Sequence, residues 1–275
     1  MKSKTKQFGQ NFLTDKNIIR KIIKYSKIDS ADSVIEIGPG KGALTSELLK
    51  ICRKLTLIEI DSFLIENELN DLTANHHNVQ IVNSDFLKLD LLTYLNSNCI
   101  IIGNLPYSSA SKIIMKIAES TSVYKIKHCI FMIQKEMADR ILANPSSPGY
   151  NAYTVLLSMN MIPEFLFDVS PSCFYPKPKV LSSVIKLCPN LKYSELSENF
   201  KTNFSKFVHS AFANKRKTLI NSVSHNLKID KNKIIESLIK LNLKPESRAE
   251  ELTLPQFLKL FESIIPVFPN RIESK

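Results

Sequence analysis

Gly38-Pro39-Gly40-Lys41-Gly42 places three glycines at alternate positions between the apolar run Val34-Ile35-Glu36-Ile37 and the helix-forming Ala43-Leu44-Thr45. Without a Cβ, backbone in such a turn can come close to a ligand. The chemistry this suits is the holding of a cofactor. The spacing is G-x-G-x-G, close to the dinucleotide fingerprint G-x-G-x-x-G, with Ala43 at a last position that also tolerates alanine. About 20 residues on, the next apolar run ends in Glu59 with Asp61 after it, where a carboxylate meets ribose hydroxyls. After a third run comes Asn83-Ser84-Asp85-Phe86, where Asp85 can accept a hydrogen bond from an adenine amine. Together these residues accommodate an adenosine-bearing cofactor. Each also has a plainer reading: a tight packing turn, an exposed acid, a helix cap at Asp85. Three such features at the carboxyl ends of consecutive strands favour the ligand, because open α/β sheets bind ligands at that edge.

The elements that must position them read as strands alternating with helices. Ser33–Ile37, Leu55–Ile60, Val79–Val82, Cys99–Ile102 and His128–Ile133 are short, rich in Ile, Val and Leu, and bounded by turn signals. Helical patterns cover Lys16–Lys27, Ala43–Ile51, Ser62–Leu69, Ser109–Ala118 and Lys135–Ala143. This order predicts an open α/β sheet with helices on both faces. Met161–Val169 and Val180–Leu187 are two further strands separated only by the Pro-rich loop Pro171–Pro178, too short for a crossover helix, so they should pair antiparallel at the sheet edge. Helical patterns then take over at Glu198–Phe212, Lys231–Leu241 and Pro255–Ile264. The expected domains are residues 1–190, carrying the sheet, and 191–275, small and all-helical.

The 275 residues carry a net charge of +11, and 44% are hydrophobic, which excludes disorder as the main state. The charge is concentrated. Residues 1–28 hold eight Lys and Arg against Asp15 alone, and residues 201–240 hold nine, including Lys215-Arg216-Lys217, against Asp230 and Glu236. Two such runs exceed the whole net charge and point to a polyanion, since clustered cations displace counterions from phosphates. The five cysteines are scattered and never spaced C-x-x-C, which suggests neither a disulfide framework nor a zinc site, and no metal is expected. The basic N-terminus lacks the apolar stretch of a signal peptide and no later run reaches membrane-spanning length, so a cytoplasmic location is expected, with no membrane partner. None of His76, His77, His128, His209 and His225 is placed as the acid of a hydride-transfer site, which argues against a nicotinamide enzyme.

The fourth strand runs through Ile100-Ile101-Ile102-Gly103 into Asn104-Leu105-Pro106-Tyr107. By itself Asn-x-Pro-Tyr is a proline turn with an aromatic. In this place it resembles the (Asp/Asn)-Pro-Pro-(Tyr/Phe) signature of S-adenosylmethionine-dependent methyltransferases that modify exocyclic amines of bases. Such an amine is a poor nucleophile, its lone pair conjugated into the ring, and the resemblance implies that Asn104 and the Leu105 carbonyl accept its hydrogens. Tyr107 would stack on a base taken out of its helix.

The wider resemblance covers nearly the whole chain and is to the ribosomal RNA adenine dimethyltransferase family, specifically its bacterial branch acting on small-subunit RNA. It is carried by Phe8-Gly9-Gln10-Asn11-Phe12-Leu13, Glu36-Ile37-Gly38-Pro39-Gly40, Ile58-Glu59-Ile60-Asp61, Asn104-Leu105-Pro106-Tyr107 and Gln134-Lys135-Glu136. Further on come Phe174-Tyr175-Pro176-Lys177-Pro178-Lys179-Val180, the run Ala211 to Leu219, and Pro245-Glu246-Ser247-Arg248-Ala249-Glu250-Glu251-Leu252. The fold implied is a Rossmann-like class I methyltransferase sheet, mostly parallel with its last strand antiparallel, followed by the helical domain.

The activity implied is methyl transfer from S-adenosylmethionine, leaving S-adenosylhomocysteine, to the N6 amines of two adjacent adenines. These lie in a hairpin near the 3′ end of 16S rRNA, in the 30S or pre-30S subunit, with a role in late subunit assembly. Position by position, Asn11 and Leu13 would close over the cofactor, Gly38 touch its methionine part, Glu59 hold the ribose and Asp85 the adenine, while Asn104 serves cofactor and target. Phe174 would form the second wall of the base pocket opposite Tyr107, and Lys215, Arg216 and Lys217 would contact RNA. Ser170-Pro171 and Lys177 depart from prolines usual in the family, which bears on loop rigidity. A large-subunit adenine methyltransferase and a non-catalytic RNA-binding assembly factor are the rivals. Leu105 and the Pro245–Glu250 stretch speak against the first, and the intact glycine loop with Asn104 against the second. A monomer is expected.

Overall fold

Strands buried on both faces have no reason to alternate polar and apolar residues, and the central strands here do not. The computed structural model describes residues 10–95, 98–120, 125–214 and 216–264. The chain opens with β1 (Phe12–Leu13) and α1 (Lys16–Ser26), whose N-terminus is capped by the Asp15 carboxylate accepting from the amides of Asn17 and Ile18. Then come β2 (Ser33–Ile37), α2 (Thr45–Leu48) and β3 (Lys54–Glu59). The next helical stretch is α3 (Ser62–Leu64), a π turn over Ile65–Leu69 and α4 (Asn70–Thr73), leading to β4 (Val79–Asn83). After it lie β5 (Cys99–Asn104), α5 (Ala110–Ala118), β6 (Ile126–Gln134) and α6 (Lys135–Ile141). Next are α7 (Ala152–Asn160), β7 (Met161–Val169), β8 (Phe174–Tyr175) and β9 (Ser182–Pro189). The described residues after β9 carry the helices α8 (Glu198–Phe212), α9 (Leu219–Leu227), α10 (Lys231–Lys240) and α11 (Leu254–Ile264).

Among the described residues, seven strands form one sheet in the order β4-β3-β2-β5-β6-β9-β7. All neighbours are parallel except β9, which runs antiparallel to both β6 and β7. The antiparallel pairing expected of the last two strands is therefore present, with β7 at the edge and β9 inserted inside it. The strand order reverses between β2 and β5, and such a switch point leaves a crevice at the carboxyl ends of the strands. Every residue of β2 is buried, and β5 is buried as far as Gly103. A separate two-stranded ladder joins β1 to β8, with Phe12 opposite Tyr175 and Leu13 opposite Phe174.

The chain divides into two compact units, residues 1–138 with 161–189, and residues 139–160 with 190–275. Residues 139–160, assigned with the sheet from sequence, thus pack with the helical segments. Within that second unit, Tyr150 donates its hydroxyl to the Leu252 carbonyl at 2.7 Å, and the Ser146 amide donates to Glu250 at 2.8 Å. Its core is aromatic: Phe200, Phe204, Phe207, Phe257 and Phe261 are fully buried, with Phe261 edge-on to Phe200 and Phe204. Among the described residues no helix is long and apolar enough to cross a membrane.

Candidate active site

The glycine turn leaves β2 under tight constraint. Gly40 has φ +59°, and a Cβ there would sit 3.1 Å from the Phe12 ring. From the neighbouring strand, Gly103 presses against β2 so closely that a Cβ would lie 2.6 Å from the Ile37 carbonyl oxygen. The turn is held open by Glu59 at the end of β3. One of its carboxylate oxygens accepts the Gly40 amide at 3.1 Å and the other accepts the Asp61 amide at 3.0 Å. Burial raises the Glu59 pKa, and these backbone bonds oppose the rise. Glu59 therefore ties the carboxyl end of β3 to the loop leaving β2.

These residues wall a cavity of about 520 Å³ at the carboxyl ends of β2, β3, β4 and β5. Asn11, Leu13, Gly38, Glu59, Asp85, Asn104, Leu105 and Tyr107 all line it, so the structure brings together every expected cofactor residue and three of the four expected around the target base. Asp85 caps the turn that follows, its carboxylate accepting from the Leu87 amide at 2.9 Å. It is thus both a cap and a cavity residue, and the two sequence readings of it do not exclude each other.

Asn104 ends β5. Its Nδ2 donates to the Asn11 carbonyl at 2.9 Å, which fixes the amide and leaves Oδ1 as an acceptor. The Leu105 amide is tied to the Met132 carbonyl at 3.0 Å. Tyr107 shares a hydrogen bond between its hydroxyl and Ser182 Oγ at 2.9 Å, and this anchors the ring from the far side.

Phe174 is not among the lining residues. It is buried in the hydrophobic core, paired in register with Leu13 on the ladder beneath the cavity wall. Arg216 and Lys217 are exposed in the second unit, and Lys215 lies outside the described residues.

Two side chains that the sequence analysis names without a role also belong to the site. Glu36 lies fully buried in β2 on the cavity wall, where Thr45 of α2 donates its hydroxyl to it at 2.7 Å. Burial pushes its pKa up to about 8, so it carries a proton at neutral pH. The signal was available: a single acid among the Val and Ile of a buried strand in a parallel sheet. Gln10 also lines the cavity, with a buried Oε1 that finds no donor among the described residues.

Residues 1–265 match the family model described as ribosomal RNA adenine dimethylase. The chain is 38% identical over 268 residues to Ribosomal RNA small subunit methyltransferase A of Mycoplasma capricolum subsp. capricolum, covering 96% of this chain and 98% of that protein. It is 40% identical over 261 residues to the protein of the same name from Aster yellows witches'-broom phytoplasma, covering 93% and 94%. Among solved structures it resembles a dimethyladenosine transferase from Plasmodium falciparum, with a TM-score of 0.77 and 29% identity, covering 91% of this chain and 96% of that one. It also resembles the 23S rRNA methyltransferase ErmE, with a TM-score of 0.70 and 25% identity over 92% and 99% of the two chains.

Proposed function

The chain belongs to the ribosomal RNA adenine dimethylase family, and we propose how its cavity carries out that family's reaction and on which RNA. It is an S-adenosylmethionine-dependent enzyme that dimethylates adenine in small-subunit ribosomal RNA. Its targets are two adjacent adenines in a hairpin near the 3′ end of 16S rRNA, met in the 30S or pre-30S subunit by a cytoplasmic monomer late in assembly. The full-length similarity to small-subunit enzymes, at 38–40% identity, supports this over the large-subunit reading.

The residues present fit the cofactor. A Cβ on Gly40 would crowd the Phe12 ring at 3.1 Å, and Glu59 and Asp85 offer carboxylate acceptors at successive strand ends. Gln10 Oε1 adds a buried acceptor that has no donor among the described residues. In this reading Glu59 takes the ribose, Asp85 the adenine amine, Gly38 the methionine part, and Asn11 and Leu13 form the cover. When bound, S-adenosylmethionine supplies an electrophilic methyl on a sulfonium and leaves as S-adenosylhomocysteine.

The observation that carries the catalytic reading is the Asn104–Asn11 hydrogen bond. It turns Asn104 so that Oδ1 is the free end, and with the Leu105 carbonyl it can accept both hydrogens of an N6 amine. Two acceptors on that nitrogen favour a pyramidal geometry, return its lone pair from the ring and stabilise positive charge as the methyl arrives. Tyr107, anchored by Ser182, presents a face for the flipped base.

The test is transfer of radiolabelled methyl to undermethylated small subunits, with the label located by nuclease mapping. The wild type should yield dimethyladenosine at adjacent positions, and Asn104→Ala should lower kcat by roughly 10²–10³-fold. Tight subunit binding without transfer would leave an RNA-binding assembly factor instead.

A further inference from the structure

Tyr175 is the most exposed large hydrophobic residue among those described, with 75% of its surface open, although it sits in a strand. It begins the segment Tyr175-Pro176-Lys177-Pro178-Lys179-Val180-Leu181, in which only Pro178 is buried. The segment is pinned at both ends to the wall of the cavity. At its start, Phe174 and Tyr175 pair with Leu13 and Phe12, both lining residues. Just past its end, Ser182 Oγ holds the hydroxyl of Tyr107. The exposed stretch is therefore a rim that runs from one cavity wall to the other.

Its chemistry is one-sided. Lys177 and Lys179 are exposed and there is no acidic side chain between Phe174 and Leu181. A free aromatic face beside unopposed cations suits a single-stranded nucleic acid, whose bases stack on the ring while phosphates meet the lysines. A protein partner would be expected to face apolar surface without this cationic excess. The occupant consistent with this is the RNA strand entering the cavity. With Phe174 buried, Tyr175 is the ring on this strand that is open to it.

We propose that Tyr175 is a stacking platform for the nucleotide next to the methylated adenine, with Lys177 and Lys179 contacting the adjoining phosphates. This inference rests on the RNA-methylating function proposed above and adds the flanking-strand subsite to it. Tyr175 acts in binding and touches neither cofactor nor reacting atoms.

The experiment compares wild type, Tyr175→Ala, Tyr175→Phe and the double variant Lys177→Ala/Lys179→Ala on undermethylated small subunits. Tyr175→Ala should raise both the KM for subunits and their Kd about tenfold, as expected for loss of one stacked base. Tyr175→Phe, which keeps the ring, should stay within about twofold of wild type. The lysine pair should reduce the slope of log Kd against log salt by about 1.4, or 0.7 per phosphate of a single strand. The cofactor Kd should not move in any of the variants, and ultraviolet irradiation should join the peptide containing Tyr175 to rRNA. An unchanged subunit KM in Tyr175→Ala, or crosslinks to a ribosomal protein alone, would overturn the platform while leaving the methylation reading standing. Absence of methyl transfer by the wild type would remove that reading, and the inference with it.

Discussion

Burial of Glu36 couples the stability of the fold to pH. Its pKa, about 8 in the fold against an ordinary 4.5, means that between those values the unfolded chain has released a proton that the folded chain retains. Stability then falls as pH rises through this window and levels off above about 8. Glu36→Gln keeps an acceptor for Thr45 and removes the ionisation. Chemical denaturation of the cofactor-free protein from pH 5 to 8.5 should show a flatter profile for the variant, the two profiles diverging by on the order of 3–4 kcal/mol at the alkaline end. Parallel profiles would mean that Glu36 is ionised in the native protein. Most of the residues that line the cavity stand out in the sequence, because glycine and acid features that have plainer uses one by one fall together at the carboxyl ends of consecutive strands. What was not legible depended on partners far along the chain. That Asn104 is oriented by a backbone carbonyl 93 positions away, and Tyr107 by a serine 75 positions away, follows only from the fold. The resemblance puts Phe174 at the target base, whereas its burial opposite Leu13 gives it a packing role in this structure.

At the scale of elements, the closest backbone approach that a glycine permits at the site is between β2 and β5. Gly103→Ala would put a methyl group 2.6 Å from the Ile37 carbonyl oxygen, a backbone atom that cannot swing aside. The strands must part at the point where the glycine turn begins, so the substitution should weaken cofactor binding at least tenfold by calorimetry and lower Tm by several degrees, since about 1–3 kcal/mol follows from overpacking. Unaltered cofactor affinity would show that the turn does not depend on this contact. The central strands were readable to within two residues at most ends, since runs of Ile, Val and Leu admit few alternatives. Three kinds of element were not. α7 is buried on most sides, including Val155, Leu156, Leu157 and Met159, so it lacks the amphipathic stripe that reveals a helix. α9 carries two Asn, two Ser and a His among its nine residues, all poor helix formers, and owes its start to the Thr218 cap. The ladder β1–β8 has two residues per strand, too few to show any period.

For the whole molecule, each unit has its own core, so damage to one should be felt there. Phe204→Ala removes a fully buried ring that stacks on Phe200 and meets Phe261 edge-on. A loss of about 3–5 kcal/mol in urea denaturation is expected, with cofactor affinity preserved under native conditions. A concurrent loss of cofactor binding would mean that the units do not hold separately. The net charge of +11 belongs to this scale too. Binding to small subunits should weaken steeply with salt, and replacing the exposed Arg216 and Lys217 by alanine should lessen that slope by about 0.7–0.9 per lost phosphate contact. The strand order also bears on how the protein is made. β9 fills the place between β6 and β7, yet it is the last strand to leave the ribosome. Until residue 189 has emerged, β6 and β7 both present unpaired edges, and the apolar α7 waits longer still for the helices after residue 190. The nascent chain therefore passes through a stretch of synthesis in which the two longest described strands are open to foreign pairing, and pausing translation once β7 has emerged but before residue 189 has should raise aggregation more than pausing before β6 emerges.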